Sequence, residues 1–465
     1  MSIQAIIMAG GAGTRLQPLT CHSPKPLAPL CGAPIMDYTL RLLQRHHFDR
    51  ADVTLWYRPQ DIRNRFGPRH RGMDLGYVVE DKPVGTAGSI LLAASSAAHT
   101  VLVLSGEGLT DIDLSAALAF HRQHRAAATL VLRQVAIPLE YGVVVTERDG
   151  RITRFIEKPD WSRVISSLVN TGVYLLEPEA LALIPRDAPF DFGRDLFPLM
   201  LQKGLPLYGY ETQAYWCDVG NPSAFLQAQA DLLLGRTSFA VEDRGLRNAA
   251  GCTISDDSYV SSSAQLMPGV QLRRSCVMDG AVIGREAQLD SAIVCECARV
   301  EQGAMLQEGS ILGAGAAAGA FSTLRHGASF WPGIAVPPDA CVEEALRRPP
   351  AGPVVRGFAP CASPMEVSRA AAAFLSAGDR KSAAVMHDGS LDVYCSALGA
   401  LSAYGADPVF MLGQGSLGML SRAVRACNAA GGLLCRGDGL VMLDQNGLRL
   451  DASAGAAVPR PASRH

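Results

Sequence analysis

The sequence predicts an α/β protein in three successive parts, and three observations carry that prediction. Over residues 1–235, short apolar runs alternate with helical stretches, which is typical of an α/β domain with a mostly parallel sheet. Over residues 248–345, apolar residues recur every six positions, which is typical of a parallel β-helix. Over residues 357–451, strands and helices alternate again. Residues 452–465 are rich in Ala, Pro and Ser, and we expect them to be disordered.

Length and composition narrow the class of protein. A chain of 465 residues is long for one hydrophobic core, so several domains are expected. With 48% hydrophobic and 18% charged residues the chain is globular in composition. A formal net charge of −2 gives no general attraction to nucleic acid or to an anionic membrane, so we expect neither as a partner. The twelve cysteines lack metal-type spacing and no leader or spanning segment is evident, which predicts free thiols and a cytoplasmic location.

Six apolar runs of the first part are predicted strands. In such folds ligands lie beyond the carboxyl ends of the strands, so the residues that follow these runs are the candidates for function. Four histidines on helical stretches, without a pattern of partner carboxylates, are predicted to be exposed. The runs are residues 5–8, 53–56, 75–79, 101–104, 129–135 and 172–176, and the histidines are His46, His47, His121 and His124.

A turn rich in glycine follows the first strand. Glycine lets backbone N–H groups approach a polyphosphate closely. Arg15 adds a planar guanidinium, and Lys25 lies between two prolines that stiffen its backbone. A strand, a glycine turn and two cations within about twenty residues predict a nucleoside triphosphate site. The candidate nucleotide-binding residues of this turn are Ala9, Gly10, Gly11, Gly13 and Thr14.

The spacing of this turn does not match two other glycine-rich nucleotide-binding motifs. A Walker loop requires Gly-Lys-Ser/Thr after four intervening residues, and this turn has none. A dinucleotide fingerprint requires a third glycine where this chain has Leu16.

Residues 10–16, together with residues 24–27, resemble the opening of the sugar-1-phosphate nucleotidylyltransferases, or sugar-nucleotide pyrophosphorylases. The resemblance extends to about residue 235, with several motifs in the family's order. It implies a Rossmann-like nucleotidyltransferase domain that uses Mg²⁺ and takes an NTP and a hexose 1-phosphate as substrates. It also implies that the catalytic residues are Arg15, Lys25 and Lys158.

Residues 83–89 resemble the segment with which this family reads the base. Gly85 and Thr86 are the candidate nucleotide-binding residues, and a helix is predicted to start near Ala87. Glu80 is a further candidate, because its carboxylate could accept hydrogen bonds from a guanine edge. A solvated surface carboxylate is an equally good interpretation of Glu80.

The predicted metal ligands are Glu107 and Asp218, and the first departs from the family pattern. Relatives have aspartate where this chain has Glu107, which is one methylene longer, and Mg²⁺ tolerates little geometric error. Three outcomes are open: Glu107 reaches the ion by bending, Asp111 takes its place, or activity is reduced. Asp218 matches the family's second magnesium aspartate.

Three short motifs resemble the family's sugar-phosphate pocket, at residues 141–144, 155–159 and 170–172. A carboxylate can read the sugar hydroxyls, a cation can hold the phosphate, and glycine leaves room for the ring. The candidate residues are Gly142, Glu157, Lys158, Asn170 and Thr171.

The six-residue period runs from Ile254 to Leu272 and, after a phase slip, from Val294 to Val342. It predicts a left-handed hexapeptide β-helix that serves structure and homo-oligomer formation. Acyltransfer is the alternative, but it usually requires a catalytic histidine, and this part contains only His326.

The third part resembles the first domain of the phosphohexomutases, such as phosphomannomutase. That family transfers phosphate through a serine in a Thr-Ala-Ser-His-Asn-Pro loop, whereas residues 435–439 at the matching place contain neither serine nor histidine. A truncated, non-catalytic domain is expected.

Pyrophosphorylase, β-helix and mutase parts occur together in bacterial mannose-1-phosphate guanylyltransferases, which the chain resembles most. GTP and mannose 1-phosphate are therefore the expected substrates. Glucose-1-phosphate thymidylyl-, uridylyl- or adenylyltransfer, and a catalytically weakened regulatory subunit that binds a sugar nucleotide, remain alternatives.

Overall fold

A computed structural model describes most of the chain. The chain divides into two compact units, Met1–Arg347 and Arg348–His465. The Ala-rich stretch over 367–375, for which the sequence predicts a helix, and the tail over 452–465 lie outside the described residues. In the first unit the structure describes residues 3–94, 99–186 and 188–343. In the second unit it describes residues 358–360, 383–387, 397, 401, 409–414, 419–420, 424, 429, 432–436 and 439–443.

The first 235 residues alternate strands with helices, and all six predicted strands are present. The strands are β1 Ile3–Met8, β2 Pro29–Leu30, β3 Ala33–Pro34, β4 Arg50–Leu55, β5 Arg69–His70, β6 Met73–Val79, β7 Thr100–Ser105, β8 Gly108–Thr110, β9 Ala128–Gln134, β10 Gly142–Thr146, β11 Ile152–Glu157, β12 Leu168–Leu176, β13 Leu207–Glu211 and β14 Trp216–Asp218. The helices are α1 Ile35–Arg45, α2 Pro59–Phe66, α3 Gly85–Ala93, α4 Leu114–His124, α5 Pro178–Leu181, α6 Phe197–Gln202 and α7 Pro222–Leu233.

One ten-stranded sheet organises this part, and it joins a parallel half to a half in which only β9 and β13 are parallel. Strands β7, β1, β4 and β6 are parallel neighbours in that order. Strand β12 runs antiparallel to β7, and β10 and β11 form an antiparallel hairpin beyond it. The hairpin follows from the short connection over residues 147–151, which cannot hold the crossover that parallel strands need. The glycine turn after β1 therefore lies at the carboxyl edge of the parallel half.

Hydrophobic clusters cover both faces of the sheet. Ile6 and Ile7 are both fully buried but belong to different clusters, because successive side chains of a strand point to opposite faces. The cluster around Ile7 includes Phe225 of α7, and the cluster around Ile6 includes Ile90 of α3.

The middle part forms three parallel sheets of short strands, and each strand pairs with the third strand after it. The predicted inward residues from Val294 to Val336 are buried, which is consistent with the predicted β-helix. The strands are β15 Thr253–Ile254, β16 Tyr259–Val260, β17 Gln265–Leu266, β18 Gln271–Arg273, β19 Cys276–Val277, β20 Val282–Ile283, β21 Gln288–Asp290, β22 Ile293–Val294, β23 Arg299–Val300, β24 Met305–Leu306, β25 Ile311–Leu312, β26 Ala317–Ala318, β27 Thr323–Leu324, β28 Ser329–Phe330, β29 Ala335–Val336 and β30 Cys341–Val342.

The second unit contains a five-stranded sheet with strands β31 Phe358–Pro360, β32 Ala383–His387, β33 Val409–Gln414, β34 Gly432–Arg436 and β35 Gly439–Leu443. Strand β32 lies between β33 and β34 and is parallel to both, whereas β35 is antiparallel to β34. The segment compared with the mutase phosphoserine loop thus joins β34 to β35. The likeness to a mutase domain stays a prediction.

Of the four histidines predicted to be exposed, only His47 is exposed; His46 and His124 are half-buried, and His121 is buried. His121 is only 2% exposed. Its Nδ1 lies 2.8 Å from Thr129 Oγ1 and its Nε2 lies 3.0 Å from Glu177 Oε1, so both ring nitrogens have partners inside the fold. Burial lowers the pKa of His121, and Glu177 opposes this. Over the described part of the chain, no helix is long and apolar enough to cross a bilayer.

Candidate active site

The glycine turn packs closely on the segment that carries Lys25. The amide of Ala9 donates to Thr54 O at 3.0 Å and ties the start of the turn to β4. Gly13 has φ +64°, and a β-carbon there would lie 2.8 Å from Lys25 Cβ. Thr20 Oγ1 donates to Gly13 O at 2.7 Å. Glycine is thus required at position 13 both by the left-handed backbone and by the nearness of Lys25.

Lys25 brings three of the predicted site residues together. Its side chain is only 7% exposed. The ammonium nitrogen lies 3.0 Å from Glu107 Oε2 and 3.5 Å from Asp218 Oδ1. A buried ammonium is tolerated because it is paired, and here it also balances two neighbouring carboxylates.

The two carboxylates come from distant parts of the sequence. Gly106, directly after β7, donates its amide to Met8 O at 2.8 Å, which holds this turn against β1. The amide of Glu107 donates to Ser105 Oγ at 3.2 Å. Strand β14 pairs with β8 so that Asp218 is opposite Gly108. This pairing delivers Asp218 to the position next to Glu107.

The extra methylene of Glu107 is accommodated over the glycine turn. A β-carbon on Gly11 would lie 1.8 Å from Glu107 Oε1. Asp111, the alternative ligand, is committed elsewhere. Its Oδ1 accepts from the amide of Tyr215 and its Oδ2 from the amide of Ser238, both at 2.7 Å.

Glu107 and Asp218 form a donor set that fits a magnesium ion completed by substrate. Carboxylate oxygens suit this hard cation, which commonly takes one or two protein carboxylates together with substrate phosphates and water. Within the described ranges, no group of three or more His, Cys, Asp or Glu side chains could hold an ion by itself.

Arg15 lies at the open side of this cluster. Its Nη1 is 2.9 Å from Glu140 Oε2, and both side chains are 57% exposed. Gly220 lies between Arg15 and Asp218, since a β-carbon there would lie 3.0 Å from Arg15 Nη2 and 3.1 Å from Asp218 Oδ2. The guanidinium is therefore accessible and close to one of the two carboxylates.

The segment that resembles the family's base-reading segment starts a helix as predicted, two residues earlier than expected. Gly85 begins α3 with φ +78°, and a β-carbon there would lie 2.5 Å from Phe190 O. The amide and the hydroxyl of Thr86 both donate to Asp191 Oδ1 at 3.0 Å. The sequence does not predict this contact of Asp191, because the residue lies between two phenylalanines in a stretch that is typical of core packing.

Glu80 is not a solvated surface carboxylate, since the residue is only 9% exposed. Ser89 Oγ donates to its Oε1 at 2.5 Å. A β-carbon on Gly10 would lie 3.9 Å from the same oxygen, so the carboxylate borders the glycine turn.

The carboxylate of Glu157 lies between two glycines. Strand pairing places Glu157 opposite Gly142. A β-carbon on Gly142 would lie 3.0 Å from Glu157 Oε2, and one on Gly193 would lie 2.3 Å from the same oxygen. Although much of the residue is exposed, burial of its carboxylate raises the pKa of Glu157; Asp191 adds to this rise, and Lys158 opposes it.

The remaining sugar-site candidates differ in what they leave free. Lys158 is exposed, with φ +42° and its amide donating to Tyr141 O at 3.1 Å. Asn170 accepts from the amide of Gly172 at 3.0 Å. The hydroxyl of Thr171 is buried and donates to Val131 O at 2.8 Å, so this side chain is already used by the fold.

Comparison with known proteins places the chain in a family. Residues 4–234 match the model of the nucleotidyl transferase family. A mannose-1-phosphate guanylyltransferase of Mycobacterium tuberculosis is 32% identical over 66% of this chain and 83% of its own length. A UTP–glucose-1-phosphate uridylyltransferase of Synechocystis is 31% identical over 67% of this chain and 87% of its own length. The catalytic subunit beta of a Danio rerio mannose-1-phosphate guanylyltransferase is 31% identical over 67% of this chain and 91% of its own length. The chain therefore belongs to the nucleotidyl transferase family.

Proposed function

We propose that this protein transfers a nucleotidyl group from an NTP to a hexose 1-phosphate, giving an NDP-hexose and pyrophosphate. The observation that carries the proposal is the buried Lys25 ammonium, paired with Glu107 and Asp218 beside a glycine turn. Cations and a divalent-metal donor set at the carboxyl edge of parallel strands suit phosphoryl chemistry better than any other use.

In the proposed reaction, a phosphate oxygen of the sugar attacks the α-phosphorus in line, and the bond to the leaving pyrophosphate breaks. No covalent intermediate with the protein is needed. Lys25 and Arg15 offset the negative charge that gathers on the phosphates, and the glycine turn presents backbone amides to them. Mg²⁺, when bound by Glu107 and Asp218, supplies further charge neutralisation.

The sugar 1-phosphate is assigned to the region of Gly142, Glu157 and Lys158. The Glu157 carboxylate would accept hydrogen bonds from sugar hydroxyls, and the exposed Lys158 would pair with the sugar phosphate. Asn170 and the main chain of Thr171 would complete this side of the site.

GTP and mannose 1-phosphate are the proposed substrates. Two of the three relatives described above are named guanylyltransferases. The carboxylate of Glu80 supports this choice, because guanine offers two adjacent N–H donors to a carboxylate whereas uracil offers one. Glucose 1-phosphate and UTP are the alternative pair of substrates, because the Synechocystis relative is named for them.

A catalytically weakened regulatory subunit is the second candidate function. It is favoured by one observation, the position of the Glu107 carboxylate against Gly11, where the longer side chain is less free to adjust to an ion. In this role the chain would bind a sugar nucleotide without turning it over.

For the remaining parts we propose a left-handed β-helix over 248–345 that joins copies of the chain into a homo-oligomer, with the nucleotidyltransferase domain ending near residue 235. An end rung of such a helix exposes unpaired backbone groups, which favours association. Residues 357–451 would be a truncated mutase-like domain without activity, and the protein would act in the cytoplasm with reduced thiols.

The test is pyrophosphate release with Mg²⁺, crossing GTP, UTP, dTTP and ATP with mannose 1-phosphate and glucose 1-phosphate. The proposal expects the strongest signal for GTP with mannose 1-phosphate. Silence across the panel, with retained binding of a sugar nucleotide, would support the regulatory subunit. Silence without any nucleotide binding would overturn both functions.

A further inference from the structure

A large aromatic side chain stands at the rim of the glycine turn with no role assigned so far. Trp56 follows the last residue of β4, and 44% of its surface is exposed. A β-carbon on Gly10 would lie 3.5 Å from Trp56 Cβ and 3.6 Å from the Trp56 amide nitrogen. The backbone and Cβ of Trp56 therefore lie directly beside the turn that is proposed to hold the triphosphate.

Trp56 is also next to the carboxylate that is proposed to read the base. Gly10, Trp56 and Glu80 follow β1, β4 and β6, which are adjacent parallel strands. The amide of Glu80 donates to Leu55 O at 2.8 Å, so Glu80 and Trp56 are held in neighbouring positions. The Glu80 carboxylate in turn is bound by Ser89 of α3, the helix that begins at Gly85.

The fold covers only part of the indole, since Trp56 is 44% exposed. Among the residues with described side chains, no aromatic ring, guanidinium or hydrogen-bond partner contacts the Trp56 indole. Leaving a tryptophan face in water forgoes the burial that normally stabilises this side chain. A partly exposed indole without a ring partner of its own, beside a turn that is proposed to bind phosphate, offers a surface on which a flat ligand can stack.

We propose that Trp56 is the stacking platform for the nucleobase, with the Glu80 carboxylate at the edge of the stacked ring. This inference rests on the proposed function, because it takes the glycine turn as the triphosphate site. Stacking gains with the area of the ring, so the platform favours a purine over a pyrimidine. Trp56 would thus contribute to the choice of base and not to the chemical step.

The test measures equilibrium binding of GTP, UTP and inorganic tripolyphosphate by calorimetry, for the parent protein and for Trp56→Leu and Trp56→Phe. We expect Trp56→Leu to weaken GTP binding by about tenfold or more, and UTP binding less, because stacking of a base on an aromatic side chain is lost. Tripolyphosphate has no base, so its affinity should stay unchanged. Trp56→Phe should retain most of the affinity, and Trp331→Leu in the middle part is the matched control.

Two results would overturn the inference while leaving the proposed function intact. One is unchanged GTP affinity in Trp56→Leu. The other is an equal loss for GTP and tripolyphosphate, which would show that the indole only shapes the glycine turn. A parent protein that binds none of the three probes would overturn the proposed function as well, and pyrophosphate release by the parent separates these cases.

Discussion

The carboxylate of Glu107 rests against the α-carbon of Gly11, so closely that a β-carbon at position 11 would lie 1.8 Å from Glu107 Oε1. The other oxygen of this carboxylate is 3.0 Å from the Lys25 ammonium. Because glutamate is longer than aspartate by a methylene, the turn must give it space that an aspartate would not need. The side chains at positions 11 and 107 are therefore coupled in size.

This coupling predicts a non-additive pair of substitutions. Gly11→Ala should destabilise the parent by about 1–3 kcal/mol, the usual cost of overpacking. In a Glu107→Asp background the same change should cost less, with a coupling of about 1 kcal/mol between the two positions. Denaturant unfolding of the four proteins measures it. Glu107→Gln keeps the length of the side chain, so in that background the cost of Gly11→Ala should remain; equal costs in all backgrounds would contradict the prediction.

Removing the cation between the carboxylates should abolish most turnover. We expect Lys25→Ala to reduce the rate of pyrophosphate release by about 10²–10³-fold, as for loss of one preorganised group that stabilises developing charge. His326→Ala is the control, because this histidine is exposed in the middle part and pairs only weakly with Glu308, at 3.9 Å. Lys25→Met, which keeps the volume, tests whether the loss comes from charge. Equal effects of Lys25→Ala and His326→Ala would refute the assignment.

The motifs that carry charge at fixed spacing could be predicted from sequence. The glycine turn follows β1 and leads along the chain to Lys25, whereas Asp218 ends β14 and reaches Lys25 because β14 pairs with β8. Asp191 and Gly193 could not be predicted, because their contacts with Thr86 and Glu157 are made between segments distant in sequence.

The same limit explains one departure in the fold. His121 is buried because its partners Thr129 and Glu177 come from other elements, which a local helical pattern does not reveal. The phase slip in the middle part has a local cause that the pattern did indicate. It consists of two shortened steps, from β18 to β19 and from β21 to β22, which lie over each other because β18 pairs with β21 and β19 with β22.

The proposed metal ligands predict a specific change in magnesium dependence. Glu107→Gln keeps a hydrogen-bond acceptor near Lys25 but removes one of the two negative charges. We expect the Mg²⁺ concentration for half-maximal activity to rise at least about tenfold, since even partners outside the ligand shell usually cost that much. A magnesium titration of pyrophosphate release measures it. Glu147→Gln, which changes an exposed carboxylate in the β10–β11 connection, should leave the requirement unchanged, and a matching rise in both variants would argue against Glu107 as a ligand.

The raised pKa of Glu157 predicts how sugar binding depends on pH. Burial of the carboxylate favours its protonated form in the folded protein. The stability that Glu157 contributes is therefore fully present below the pKa of an unfolded glutamate, about 4.3, and is lost as pH rises through the raised value. Accepting a hydrogen bond from a sugar hydroxyl requires the ionised form, so the KM for the hexose 1-phosphate should fall as pH rises through the same interval.

The phosphate of the hexose 1-phosphate also ionises in the pH interval in which Glu157 does. The measurement therefore needs a variant that lacks the Glu157 carboxylate and is assayed with the same substrate. Glu157→Gln cannot titrate, and its KM should follow the phosphate alone while lying above that of the parent at high pH. The KM of Glu157→Gln divided by the KM of the parent isolates the contribution of Glu157 ionisation. We expect this ratio to grow with pH above the ordinary glutamate range and then level off. A constant ratio would mean that the Glu157 carboxylate does not contact the sugar. An unchanged KM for the NTP in the same variant would show that the effect is confined to the sugar side of the site.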